Sequence, residues 1–240
     1  MAYGNRCTMN KGLIIETQPF NAYEQMAADE VLCDALMAPY TLRFYNWSGP
    51  GVTFGYSQRI LSVRSGIGPV NSALPLARRP TGGGIVLHES DLTFSFIFHQ
   101  PGVYFEPAKT YDRLHRAITG GYAEAGVGFE LLNEHTADYK TDNPVMDCFA
   151  KPVNLDIMYN KKKVLGGALR KFGDYMLYQA SFQAPDARSN AAFHRDIIIK
   201  ALGLEFGLSW RSAIFSELEI NKIKNLALSK YRTSEWNERI

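Results

Sequence analysis

Three consecutive glycines near the middle of the chain constrain its fold more than any other feature. The run and its neighbours read Arg78, Arg79, Pro80, Thr81, Gly82, Gly83, Gly84, Ile85, Val86, Leu87 and His88. Glycine reaches positive φ at little cost and leaves its N–H group bare, so such a loop can press against a ligand and donate to carbonyl or anionic oxygens. The paired arginines place positive charge beside it. We therefore predict a ligand-binding loop, the alternative being a glycine-rich hairpin connection with two solvated arginines.

The spacing of these glycines argues against two common nucleotide sites. It matches neither GxxxxGK[ST] nor GxGxxG, and the residues after the glycines have the pattern of a strand, where both motifs place a helix.

Composition and charge narrow the class of protein. With 240 residues, 46% of them hydrophobic, the chain can bury the core of one large domain. A net charge of +2 does not indicate a nucleic-acid partner, and no long apolar run or secretory leader is present, so we expect no membrane partner and a cytoplasmic location. Cys7, Cys33 and Cys148 match no zinc spacing, which predicts free thiols in a reducing compartment and no metal site.

The pattern of apolar residues predicts an α+β fold, with mainly antiparallel mixed sheets flanked by helices. Residues 1–12 are expected to be a disordered extension, and residues 13–240 a single catalytic domain. Helices are predicted over 22–37, 107–125, 194–202 and 217–229, and strands over 41–47, 52–56, 85–88, 92–98, 153–159, 163–169 and 175–183. The strands over 41–47 and 52–56 are expected to be neighbours, residues 62–73 to form a loop, and the strand over 92–98 to bury one face.

Five segments resemble, in the same order along the chain, the lipoate protein ligase and octanoyltransferase family. They are LRFYNW (42–47), TFGYSQ (53–58), RRPTGGGIVLHESDLTFSF (78–96), KKKVLGGALRK (161–171) and KYRTSEWN (230–237). The resemblance implies an α+β catalytic domain shared with biotin protein ligases, in which the glycine loop and the lysine strand enclose a medium-length acyl chain. It also implies that the substrate is a lipoyl-type carrier domain, modified on one lysine.

The residues fit such a ligand, because an acyl chain offers little to recognise beyond its length and one polar end. Glycine-lined walls with donors at the mouth suit it. Lys163 stands at the family's lysine position, where its ammonium would meet the acyl carbonyl; the alternative is a solvated turn lysine. The predicted substrate-binding residues are Arg78, Arg79, Thr81, Gly82, Gly83, Gly84, His88, Asp156, Gly166, Gly167 and Ala168.

Cys148 distinguishes branches of the family. It resembles the acyl-accepting thiol of one class of octanoyltransferases, which the ATP-dependent ligases typically lack. A thiolate attacks better than a thiol, so a cation such as Lys163 would help, whereas Asp147 would oppose ionisation if it pointed the same way. The alternative role for Cys148 is a small buried hydrophobe. Cys33 lies on the apolar stripe of the first helix and is expected in the core.

The chain departs from the family pattern at three places. Asp156 stands where the ligases carry an Asn-Asp pair that contacts adenylate and metal, but Leu155 precedes it here, so we predict no metal role. Residues 178–180 read Tyr-Gln-Ala where many relatives show His-Gly and then Ser or Thr, and Gly167 is often Ser. These changes leave the acyl length, and activity itself, open.

The resulting hypothesis is an octanoyltransferase without a cofactor. It would take octanoyl from acyl carrier protein onto Cys148 and pass it to a lipoyl domain of the glycine cleavage H protein or of a 2-oxoacid dehydrogenase E2. One alternative is a lipoate protein ligase without its accessory domain, with ATP and magnesium, in which Arg79, Lys163 and Asp156 hold lipoyl adenylate. Another is an inactive acyl-binding relative. A positive rim suited to an acidic carrier protein is expected from Arg78, Arg79, Arg170 and Lys171.

Overall fold

The computed structural model describes residues 10–35, 38–102, 105–133 and 152–240. Its strands are β1 Asn10–Glu16, β2 Tyr40–Phe44, β3 Gly51–Phe54, β4 Leu76–Arg78, β5 Val86–His88, β6 Leu92–His99, β7 Glu130–Leu131, β8 Ile157–Tyr159, β9 Lys162–Phe172, β10 Tyr175–Phe182 and β11 Leu208–Ile214. Its helices are α1 Ala22–Ala35, α2 Ile60–Asn71, α3 Pro107–Glu124, α4 Ala191–Phe206, α5 Glu217–Leu226, a π-helical turn Ala227–Tyr231, and α6 Ser234–Asn237. No described helix is both long enough and apolar enough to cross a bilayer.

Two sheets carry the fold. The larger has the strand order β11-β1-β2-β6-β10-β9-β8-β7, and the smaller has the order β4-β3-β5. In the larger sheet β1 runs parallel to both β11 and β2, and the other described pairings are antiparallel. In the smaller sheet β3 runs parallel to β4 and antiparallel to β5. The expectation of mainly antiparallel mixed sheets is confirmed.

Strand β6 lies at the centre of the core and is buried on both faces, so the expectation of a single buried face is wrong. Its phenylalanines, among them Phe94 and Phe96, pack with α3 and α4 on one side. Ile97 points the other way, toward α1 and α5. The strand has helices on both sides, and this explains why Thr93 and Ser95, the polar residues that alternate with the aromatics, are buried as well.

Local patterns that close a turn or begin a helix are confirmed. The Asn21 side chain accepts hydrogen bonds from the backbone N–H groups at the start of α1, while Glu24 bonds back to the Asn21 N–H. Ser216 and Glu219 form the same reciprocal capping arrangement at α5. The β8–β9 hairpin turns at Asn160 with φ of 50°, a left-handed conformation that asparagine tolerates.

Four expectations about connectivity are wrong. The predicted strands over 41–47 and 52–56 are not neighbours, because β2 belongs to the larger sheet and β3 to the smaller. The strands on either side of residues 89–91 are divided in the same way and do not form a hairpin. Residues 10–12, assigned to a disordered extension, begin β1, which is hydrogen-bonded on both sides; residues 1–9 lie outside the described part of the chain.

The predicted loop over 62–73 is mostly helix α2. Its Ile60 and Val63 bury against Val52 and Phe54 in a third, smaller core beneath the smaller sheet. Gly68 interrupts the helix with a φ of 67°. Tertiary burial of two apolar residues therefore outweighs a composition rich in serine and glycine.

The aromatic core predicts a large penalty for one truncation. Phe96 is fully buried and its ring lies 5.1 Å from those of Phe98 and Phe206. We expect Phe96→Ala to lower the free energy of unfolding by about 3–5 kcal/mol. Leu61→Ala is the control, since Leu61 is 77% exposed, and it should change stability by less than about 0.5 kcal/mol in denaturant titrations. Equal effects of the two would contradict the assignment of the core.

Candidate active site

A cleft with about 380 Å³ of empty space lies between the two sheets. Six of the residues selected from the sequence line it: Arg79, Gly83, His88, Gly166, Gly167 and Ala168. Sequence reasoning missed other lining residues, including Tyr45, Thr53, Thr93, Gln179 and Ser181. The glycine loop and the β9 strand, which are far apart in the sequence, thus form opposite parts of one site.

The glycine loop follows the neighbouring backbone closely. Gly83 has a φ of 88°, a conformation that favours glycine. A Cβ atom on Gly55 would lie 1.9 Å from the Gly83 carbonyl oxygen, so both strands of this contact require glycine. Arg79 fixes the loop from inside, donating to the carbonyl oxygens of Gly82 at 2.9 Å and Gly84 at 2.7 Å.

Arg78 does not form part of a positive rim, which corrects the expectation for this residue. It is fully buried, and its guanidinium donates to four backbone carbonyl oxygens at 2.7–3.0 Å. The acceptors are Tyr56, Gln58, Trp236 and Asn237. Arg78 therefore attaches the KYRTSEWN segment to the residues that precede the glycine loop. Arg79 is buried too, so neither arginine can supply a solvated rim.

A buried polar network underlies the loop side of the cleft. The Thr81 hydroxyl donates to the Gln179 carbonyl oxygen at 2.6 Å, and the Gln179 amide donates to Asp29 at 2.7 Å. Asp29 in turn pairs with Arg43, at 2.9 Å from Nε and 2.5 Å from Nη2. All four side chains are buried. The one signal in the sequence was Arg43, an arginine between apolar residues of a predicted strand.

His88 lies at the β5 side of the cleft in a fixed orientation. Its Nε2 is 2.8 Å from the Thr53 hydroxyl and its Nδ1 is 2.8 Å from Asp91, while its ring stacks on Trp47. Burial would raise the pKa of Asp91, but the charge and hydrogen bond of His88, with hydrogen bonds from Thr93 and Ser181, lower it below its usual value. An ionised Asp91 then holds the imidazole in place.

Lys163 is not a solvated turn lysine. Its side chain is 3% exposed, and its Nζ lies 2.8 Å from the Asp156 carboxylate. A Cβ atom on Gly166 would lie 2.2 Å from Lys163 Cε and 2.4 Å from its Nζ. The ammonium therefore occupies the space that a side chain at position 166 would fill, directly over a residue of the cleft wall.

The surroundings of Asp156 do not fit a metal ion. Both carboxylate oxygens already accept hydrogen bonds: Oδ1 from the Tyr111 hydroxyl at 2.6 Å, and Oδ2 from the Val153 N–H at 2.7 Å and from Lys163. The side chain is fully buried. Within residues 10–133 and 152–240, apart from the short gaps at 36–37 and 103–104, no cluster of three metal-ligating side chains occurs. Asp156 instead fixes Lys163.

Two departures from the family pattern fit one another. A Cβ atom on Gly167 would lie 2.3–2.7 Å from ring atoms of Tyr178, so the tyrosine ring fills the space that a serine would need. The Tyr178 hydroxyl lies 2.7 Å from His115 Nε2, and His115 Nδ1 lies 2.7 Å from the Leu155 carbonyl oxygen. This second polar chain was not predicted from the sequence.

The cysteines divide between the described and undescribed parts of the chain. Cys33 is buried in the core, as expected, and burial together with the charge of Asp29 raises the pKa of its thiol. Cys7 and Cys148 lie outside the described residues, and so does Asp147.

His115 predicts a stability that depends on pH. Burial lowers its pKa from 6.5 to about 3, with the charge of Lys163 acting in the same direction. Below pH 6.5 the unfolded chain binds a proton that the folded protein refuses, so stability falls as the pH is lowered toward 3, by at most about 1.4 kcal/mol per pH unit. We expect His115→Gln to flatten this slope in denaturant titrations between about pH 6 and 4. The exposed His99→Gln should keep the slope, and an unchanged slope in His115→Gln would contradict the assignment.

Comparison with known proteins agrees with this architecture. A protein named octanoyltransferase LipM, from Halalkalibacterium halodurans, is 26% identical over 89% of this chain and 94% of its own length. A crystal structure of lipoate-protein ligase A bound with ATP has a TM-score of 0.73 at 22% identity, covering 96% of this chain and 99% of that one. The bipartite lipoate protein ligase of Thermoplasma acidophilum has a TM-score of 0.69 at 20% identity, covering 96% of each chain.

The structural likenesses confirm the expected α+β fold. The description "Lipoyl protein ligase A/B catalytic domain" matches residues 21–184, which span the first helix, the glycine loop, the lysine strand and β10. The match covers well over half of the chain, and the chain therefore belongs to the lipoyl protein ligase A/B catalytic domain family.

Proposed function

We propose that this protein is an octanoyltransferase that moves an octanoyl group from acyl carrier protein to a lysine of a lipoyl domain, through a thioester on Cys148. The observation that carries the proposal is the buried ammonium of Lys163, held by Asp156 over Gly166 at the wall of the cleft. The name of the relative from Halalkalibacterium halodurans supports the same reaction.

The proposed reaction has two acyl transfers. The Cys148 thiolate attacks the carbonyl carbon of the donor thioester; the new C–S bond forms, the bond to the donor sulfur breaks, and the donor leaves as a thiol after taking a proton. The ε-amino group of the acceptor lysine then attacks the Cys148 thioester, forming the amide and releasing the Cys148 thiol. Each tetrahedral intermediate carries an oxyanion, which the Lys163 ammonium and N–H groups of the glycine loop would stabilise.

The acceptor would be the lipoyl domain of the H protein or of an E2 subunit. One of the structural relatives was studied together with its E2 lipoyl domain, which supports this class of acceptor. The occupied carboxylate of Asp156 supports transfer over ligation, because ligation would require a residue here to hold adenylate and a metal ion. No cofactor enters the proposed reaction.

Intact-mass spectrometry tests the thioester. After mixing with octanoyl acyl carrier protein, without ATP or Mg²⁺, the parent should gain the mass of one octanoyl group. Cys148→Ala should gain none and lose transfer to the lipoyl domain, because it lacks the nucleophile. Cys7→Ala and Cys33→Ala are the controls and should still be acylated. Normal turnover by Cys148→Ala would refute the mechanism, product that forms only with ATP would support the ligase, and tight acyl binding without either would indicate an inactive relative.

The position of the ammonium is tested by adding one carbon. In Gly166→Ala the new methyl group would overlap the end of the Lys163 side chain, which must move away, while the backbone has no reason to shift. We expect single-turnover acylation to fall at least tenfold, with the loss bounded by the factor of about 10²–10³ expected for Lys163→Ala. Gly128→Ala is the control, since a Cβ there meets nothing within 4 Å. Equal rates in the two alanine variants would show that the position of the ammonium is unimportant.

A further inference from the structure

Two arginines converge on one tyrosine beside the cleft, and the reaction proposed above uses neither. The guanidinium carbons of Arg170 and Arg239 lie 4.5 and 4.1 Å from the centre of the Tyr56 ring. Hydrogen bonds from Arg239 and Arg170 lower the pKa of the Tyr56 hydroxyl, so both guanidiniums reach the same oxygen. We call Arg170 and Arg239 the arginine pair.

The arginine pair is attached to the rim of the cleft. Arg170 donates to the Pro80 carbonyl oxygen at 2.8 Å, and the Tyr56 N–H donates to the Thr81 carbonyl oxygen at 2.8 Å, so both hold the segment that leads into the glycine loop. Arg170 also follows the cleft residue Ala168 by two positions on β9, which places both side chains on the same face of the sheet.

The positive charge at this point has no acidic partner among the residues that the structure describes. Glu238, next to Arg239 in sequence, pairs instead with Arg64 at 2.6 Å. Arg78 lies close behind, and burial together with the charge of Arg239 lowers the pKa of Arg78 to about 10. Guanidiniums held this close repel one another, and a bound anion would relieve the repulsion.

The geometry favours one compact anion over an extended acidic surface, because both guanidiniums point to a single oxygen atom. Arginine also suits phosphate oxygens, which its planar fork can contact twice. Along β9, Arg170 is four residues from Gly166, over which Lys163 lies, a separation of roughly 13 Å at the rise of a strand. The pantetheine arm of an acyl donor is long enough to span this distance between its thioester and its phosphate.

We propose that the arginine pair binds the phosphodiester of the phosphopantetheine arm that delivers the acyl thioester. This inference rests on the proposed transferase function. The acyl chain enters the cleft past Gly166 and Lys163, while the arm runs along the rim toward Tyr56. The phosphate then positions the thioester carbonyl at the ammonium.

Two small donors test the proposal: octanoyl-phosphopantetheine and octanoyl-pantetheine, which differ only in the phosphate. The parent should prefer the phosphorylated donor in kcat/KM by about tenfold or more, chiefly through KM, as expected when one charge-assisted contact is gained. In Arg239→Met the preference should fall toward one. Arg64→Met, which removes an exposed arginine outside the pair, should keep the preference of the parent.

A titration with phosphopantetheine alone, followed by the absorbance of Tyr56 and by calorimetry, separates this inference from the proposed reaction. Saturable binding that Arg239→Met weakens supports the phosphate site even if no acyl transfer occurs. The proposal is overturned if the parent shows no preference between the donors. It is also overturned if Arg239→Met raises KM only for octanoyl acyl carrier protein, because the pair would then contact the carrier protein surface.

Discussion

The buried pair of Asp29 and Arg43 is the interaction on which the arrangement of the site depends. Asp29, on helix α1, accepts hydrogen bonds from side chains on three adjacent strands of the larger sheet: Arg43, Ser95 and Gln179. Through Gln179 the network reaches Thr81 in the segment that leads into the glycine loop. Removing one member of a buried charge pair typically costs about 3–5 kcal/mol, so this pair fixes the helix, the strands and the loop together.

A second long-range attachment comes from the KYRTSEWN segment. Lys230 donates to Glu30 of α1 at 2.7 Å, and Asn237 accepts from the Arg78 N–H at 2.8 Å. Trp236 donates to the Arg78 carbonyl oxygen at 2.9 Å. The segment therefore joins the first helix to the strand that leads into the glycine loop. A motif that resembles a functional family here has a structural task in the described contacts: it supports a loop otherwise held by few side chains.

The sequence predicted what depends on neighbouring residues and missed what depends on distant ones. The caps at Asn21 and Ser216, and the turn at Asn160, are short-range chemistry and were found. The division into two sheets was missed, because a strand pattern does not name its partner. Arg78 was misplaced for the same reason: an arginine beside a glycine loop has the pattern of a ligand contact, and its buried carbonyl acceptors lie mainly in the distant segment 236–237. The family resemblance, rather than periodicity, located Lys163.

The cleft shows how polar side chains can build a surface suited to an acyl chain. Thr81, Gln179, Thr53, His88, Thr93 and Ser181 all lie in or beside it, yet each bonds to another protein group. Because those bonds are satisfied internally, the polar atoms do not need water, and a hydrocarbon chain can displace solvent without leaving a donor unpaired. Recognition then falls to the shape of the cleft walls, which the glycines set, and to the Lys163 ammonium, the cationic group that lies directly over one of them.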